Sequence, residues 1–94
     1  MFGRKLSSLK YAEVVRALRM MGYFMRPKTG TAHEHWILTT PARKYLVTVD
    51  KHLAPFSRDL IKLMAQQAGM KTRHFHALCK GSCTLQDIEL EPGD

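Results

Sequence analysis

The sequence predicts a two-layer α+β domain: a three-stranded antiparallel sheet, two long helices packed on one of its faces, and a short helix near the C-terminus. Three observations carry that prediction. The chain has 94 residues and 45% hydrophobic content, which suits one domain with one modest core. Apolar residues recur at helical spacing in two windows, residues 11–21 and 60–68. Between them lie three short β-prone segments with tight links, which implies a meander. Such a sheet must bury one face, and the two helices are the only large apolar partners on offer.

The elements follow in order. Ser7 or Ser8 is placed to cap the first helix, whose apolar stripe is Tyr11, Val14, Val15, Leu18 and Met21. Arg16 and Arg19 fall on its water-facing side, and Gly22 suits a left-handed C-terminal stop. Tyr23 to Arg26 is short, aromatic and closed by Pro27, so it reads as an edge strand. Residues 28–32 form a loop, His33 to Thr39 a second strand, and Thr40 to Arg43 a turn. Lys44 to Val49 is the third strand, with Tyr45, Val47 and Val49 sharing a face. After a loop, Ser57 is a natural N-cap, and Phe56 and Ile61 can staple the second helix. Asp59 suits its first turn, Leu60, Ile61, Leu63, Met64 and Ala68 its apolar face, and Gly69 its end. Thr72 starts a short third helix carrying Phe75 and Leu78. The domain is therefore expected over residues 1–81. Residues 82–94 are expected to be an acidic tail, in which Thr84, Leu85, Ile88 and Leu90 can form a strand or docking segment.

Charge narrows the partners. The net charge is +7, but residues 1–80 hold all fifteen Lys and Arg against only Glu13, Glu34, Asp50 and Asp59, leaving that body at +11. Asp87, Glu89, Glu91 and Asp94 make the remainder acidic. A body this basic attracts polyanions, chiefly nucleic acid. No apolar stretch follows Met1 to Lys5, so no signal peptide is expected, and no run approaches the roughly 20 apolar residues of a membrane span. Cys79 and Cys83 do not make a disulfide framework, and a reducing cytoplasm fits them.

The segment Gly30-Thr31-Ala32-His33-Glu34-His35-Trp36 stands where a basic loop enters a strand. An imidazole there is held by regular backbone yet reachable from solvent, and it exchanges protons near neutral pH. Arg26 and Lys28 precede it and can hold a phosphate, while Gly30 allows close approach. Cleavage of RNA through its 2′-hydroxyl needs a base, an acid and positive charge, and a histidine can take either proton role. His35, about 6.5–7 Å along the same face, is the secondary candidate for His33's role, with cross-strand packing as its alternative. Arg26, Lys28 and Arg43 are candidate phosphate contacts. Trp36 points to the other face and is expected to pack; Glu34 either orients an imidazole or lies exposed.

Four motifs in order resemble the HicA (YcfA-like) family of type II toxins: Leu18-Arg19-Met20-Met21-Gly22-Tyr23, Gly30 to Trp36, Val47-Thr48-Val49-Asp50-Lys51-His52, and Leu60 to Met70 with its Ala68-Gly69 close. The resemblance covers roughly residues 7–78. It implies a dsRBD-like α-β-β-β-α fold and an mRNA-cleaving ribonuclease that arrests growth and is silenced by a HicB-type antitoxin in a hetero-oligomeric complex; a His-and-cation site with no carboxylate cluster for magnesium makes that activity metal-independent in expectation. The resemblance maps the catalytic histidine onto His33; Gly30, Thr31, Lys44 and His52 join Arg26, Lys28 and Arg43 as candidate RNA contacts. Ala32 stands where the family usually has Ser or Gly, and Asp50 where it usually has Pro. No metal or other cofactor is expected.

Two other classes remain beside that reading. One is a non-catalytic RNA-binding module of the same shape, which needs no imidazole at position 33. The other is a small partner-binding or zinc protein using His74, His76, Cys79 and Cys83, although residues 74 and 76 diverge on a helix and the spacing is not that of a common finger.

Overall fold

Helix α1 (Tyr11–Met20) starts without the serine cap expected at Ser7 or Ser8. In this computed structural model, which describes residues 6–26, 30 and 32–89, Leu9 instead pairs with Phe56 in an isolated antiparallel bridge. That pairing keeps the chain extended up to Lys10. The Glu13 carboxylate then accepts from the Lys10 backbone N–H at 2.8 Å and closes the first turn from inside. This bond, supported by Lys80, holds the Glu13 carboxyl below its ordinary pKa. At the other end, Gly22 has φ +100°, and Tyr23 N–H donates to Leu18 O at 3.0 Å, the left-handed stop the sequence predicts. Arg16 and Arg19 are exposed but not idle. Arg16 donates to Cys79 O at 2.7 Å, and the Arg19 guanidinium lies 5.4 Å from the centre of the Trp36 ring.

The sheet is an antiparallel meander in the order β1 (Phe24–Met25), β2 (His33–Thr39), β3 (Lys44–Asp50). Thr40 and Arg43 close the link between β2 and β3: Thr40 N–H donates to Arg43 O at 2.9 Å, and Arg43 N–H to Thr40 Oγ1 at 3.0 Å. This tight link starts the register with Thr39 opposite Lys44 and carries it to His33 opposite Asp50. Glu34, Trp36, Val47 and Val49 therefore point into the core, and His33, His35, Thr48 and Asp50 point the other way.

Helix α2 (Arg58–Gln67) begins at Ser57, whose hydroxyl accepts from Leu60 N–H, and Phe56 and Ile61 are both buried as a staple requires. The helix lies along the outer edge of β3, where Gln67 Oε1 accepts the Thr48 N–H at 3.0 Å and satisfies an edge donor. Its apolar face is narrower than the periodicity predicts. Ile61, Met64, Ala65 and Ala68 reach the core, whereas Leu63 stays 49% exposed. Helix α3 (Thr72–Lys80) adds Phe75, Leu78 and Cys79 to the core.

Part of the region expected to be an acidic tail is helical and not a strand, and it docks on the domain through Leu85. Residues Leu85–Glu89 form a short helix, α4. Thr84 and Asp87 cap it reciprocally: Thr84 N–H donates to Asp87 Oδ2 at 2.9 Å and Asp87 N–H to Thr84 Oγ1 at 3.2 Å. Leu85 and Cys83 pack against the core, so the fold continues past residue 81. The acidic composition hid a Thr-x-x-Asp capping pair; residues 90–94 lie outside the described residues. No helix among the described residues is long and apolar enough to cross a membrane.

The two thiols sit in unlike surroundings, which gives a chemical check on this packing. Cys79 is fully buried, and burial pushes its thiol up to about 12, whereas Cys83 is only half-buried. Iodoacetamide should modify Cys83 first and reach Cys79 only as the protein unfolds. Equal labelling of both in the native protein, read by peptide mass spectrometry, would show that α3 does not pack as described.

Candidate active site

The register of the β2–β3 hairpin builds the site. It sets His33 directly across from Asp50, and His33 Nε2 lies 2.9 Å from Asp50 Oδ2. The imidazole side chain is 59% exposed and the carboxylate 20%. The second carboxylate oxygen, Oδ1, accepts from His52 N–H at 3.0 Å, where Asp50 caps a 3₁₀ turn spanning Lys51–Leu53. Asp50 is thus gripped by backbone on one side and by a histidine ring on the other. An accessible imidazole whose orientation is set by a fixed carboxylate is the arrangement used for proton transfer by nucleophile-activating histidines.

The motif alone does not mark Asp50 as a site residue, because there it stands only as a departure from Pro ahead of His52. The missing signal was the hairpin itself. Once Thr40–Arg43 is a four-residue link, counting outwards pairs 39 with 44 and ends with 33 opposite 50. Glu34 shows the complementary error. It does not lie exposed: it is 2% exposed, and its carboxylate accepts from Tyr11 Oη at 2.8 Å and Trp36 Nε1 at 3.1 Å. The strand period of two sends it to the core face, away from His33. Desolvation, with this bond to Glu34, pushes the Tyr11 hydroxyl up to about 12. Trp36 is buried, as a packing residue should be.

The remaining expected residues divide by position. His35 is half-buried on the same face as His33, opposite Thr48. Arg26 N–H donates to His35 O at 2.8 Å, and one step beyond the Met25–Trp36 pair puts Arg26 on that face too, with its side chain exposed. Gly30 has φ +85° with open space around it, so conformation rather than crowding demands glycine there. Lys28 and Thr31 lie outside the described residues. His52 is exposed, and its backbone N–H is what anchors Asp50.

Arg43 and Lys44 are at the wrong end of the hairpin for a phosphate at His33. Six residues of extended strand separate Thr39 from His33, roughly 20 Å. The Arg43 guanidinium lies 4.6 Å from the centre of the Tyr45 ring instead. A different set of cations comes together. Arg58 and Lys62, one turn apart on α2, face Lys71 and Arg73 at the start of α3 across an open groove. The i, i+4 spacing of Arg58 and Lys62 is visible in sequence, but the contribution of α3 is a product of packing.

The histidines and cysteines proposed as zinc ligands have other surroundings. His74 and Cys79 are buried, while His76 Nε2 lies 2.9 Å from Ser7 O and 3.2 Å from Ser7 Oγ. No group of three or more His, Cys, Asp or Glu among the described residues is placed to hold a metal.

No protein-family model, curated protein or solved structure matches the chain.

Proposed function

We propose that this protein is a HicA-type ribonuclease toxin, a metal-independent endoribonuclease that cuts mRNA and is neutralised by a HicB-type antitoxin. The observation that carries the reading is the exposed His33 imidazole held by the Asp50 carboxylate at 2.9 Å on the open face of a basic domain. A module that only binds RNA does not need such a pair.

The proposed chemistry uses these groups in turn. His33 takes the proton of a ribose 2′-hydroxyl, the 2′-oxygen attacks the adjacent phosphorus, and the bond to the 5′-oxygen breaks. That oxygen leaves with a proton from an imidazolium, either His33 itself or His35 on the same face. Arg26, exposed beside His35, supplies positive charge to the phosphorane. Asp50 keeps the His33 ring in place during both transfers. Arg58, Lys62, Lys71 and Arg73 offer the flanking strand a track on the other side of α2. An antitoxin silences this site by covering His33 and Asp50.

The test is a transcript incubated with the purified protein in excess EDTA. Cleavage leaving 2′,3′-cyclic phosphate ends is the expected result. Activity that disappears and returns with added magnesium or zinc would replace the histidine mechanism with a metal one. Binding without cleavage under every condition would leave a non-catalytic module.

Affinity for RNA should fall steeply with salt. Each phosphate neutralised on a single strand contributes about −0.7 to the slope of log K against log salt. A flat titration would mean that the +11 body serves some other partner.

A further inference from the structure

Beside the His33–Asp50 pair lies a cavity of about 180 Å³ that the catalytic chemistry does not use. Leu53, Phe56, Leu60, Leu63 and Met64 make its walls, contributed by the 3₁₀ turn, by the bridge segment that precedes α2 and by one face of α2. His33, Thr48 and Asp50 form its polar lip. The walls are apolar and the lip is charged, so any occupant has an uncharged flat or branched body and a polar end that meets His33.

We infer that this cavity seats the nucleobase of one nucleotide flanking the scissile phosphate of a single-stranded RNA. The inference rests on the ribonuclease reading above and deepens it. Its size favours one ring system. Pockets that swallow a whole ligand run to about 300–1,000 Å³, and 180 Å³ leaves the sugar and phosphate outside, on the lip where the imidazole is. Leu53 and Leu63, 51% and 49% exposed, give the base two apolar edges to slide against on entry. Thr48 lines the cavity with a side-chain hydroxyl as its polar group, and its backbone N–H is already taken by Gln67. Charge favours a nucleic acid over an apolar peptide. The +11 body attracts a polyanion, and a strand leaving the cavity across α2 meets Arg58 and Lys62, then Lys71 and Arg73. A base can enter only from an unpaired strand, because stacking and pairing hide it in a duplex.

The alternative place for a base is the open sheet face, where Phe24 is 78% exposed beside Ile37 and Leu46. The two are separable by methyl NMR on the full chain, titrated with millimolar 3′-nucleoside monophosphates. Saturable shifts of the Leu53, Leu63 and Met64 methyls are expected, with ribose 5-phosphate producing none. Leu63→Trp should fill the cavity from its rim and abolish those shifts; because Leu63 is half exposed, the fold should tolerate it. In a cleavage assay, an RNA made abasic next to the cut bond should react more slowly by on the order of 10- to 100-fold, the value of one stacked base. Shifts confined to the Ile37 and Leu46 methyls beside Phe24, an absence of shifts, or pocket shifts only with an apolar peptide would each overturn the inference. The NMR arm does not depend on catalysis. A protein that binds nucleotides in the cavity but cuts no RNA would refute the ribonuclease reading and leave the base site standing.

Discussion

Replacing His33 by Ala should lower the rate of RNA cleavage by about 10²–10⁴ while leaving RNA affinity and thermal stability nearly unchanged. The imidazole is the group that moves protons in the proposed step, and it is exposed enough that little packing goes with it. Asp50→Asn should fall between wild type and His33→Ala. Asn keeps the size and can still accept from His52 N–H, but it no longer offers a carboxylate to the ring. Its signature is an altered pH–rate profile with an unaltered KM, which a purely structural defect would not produce. His35→Ala should cost less than either. Rates measured on one defined transcript, together with growth after tight induction, check the ranking. A His33→Ala protein that remains fully toxic at equal expression would remove His33 from the mechanism, and a larger loss at His35 would transfer the role there.

Glu34→Ala should destabilise the fold by about 2–4 kcal/mol without touching the chemistry directly. The substitution strands two donors, Tyr11 Oη–H and Trp36 Nε1–H, against a site that is 2% exposed. Each buried donor left without an acceptor costs about 1–3 kcal/mol. For a domain of this size that corresponds to about 4–8 °C of Tm per kcal/mol. Tyr11→Phe, which removes one donor and leaves Glu34 bonded to Trp36, should cost less. Urea denaturation of the three proteins gives the comparison. A Glu34→Ala variant as stable as wild type would mean that this carboxylate is not what joins α1 to the sheet.

These two carboxylates show where reading a sequence succeeds and where it stops. Glu34 lies in the Gly30–Trp36 motif and Asp50 in the Val47–His52 motif, and charge alone treats them alike. Alternation along β2 already separates Glu34 from His33, so its place in the core was within reach of the sequence. Asp50 was reachable too, through the count outwards from the Thr40–Arg43 turn. By contrast, Arg43 and Lys44 fall away from His33 because sequence proximity to a turn says nothing about which end of a hairpin carries the chemistry, whereas Arg26 shares the His33 face. Arg43 stacks on Tyr45 far from His33, while Arg58, Lys62, Lys71 and Arg73 meet across two helices.

By itself the sequence determined the α+β class, the meander, the two long helices with their stops, and a basic body bearing one well-placed histidine. These are consequences of local periodicity, turn chemistry and charge count, each set by neighbours within a few residues. Only the tertiary structure decided that Leu9 pairs with Phe56 instead of letting a serine cap α1, that Leu85–Glu89 folds back as a helix, and that α2 lies along β3. That last placement leaves Leu63 at the rim of a cavity beside His33. Each of these joins segments far apart in the chain, and the energy that selects among such pairings comes from burying surfaces against one another, which no single stretch of sequence contains.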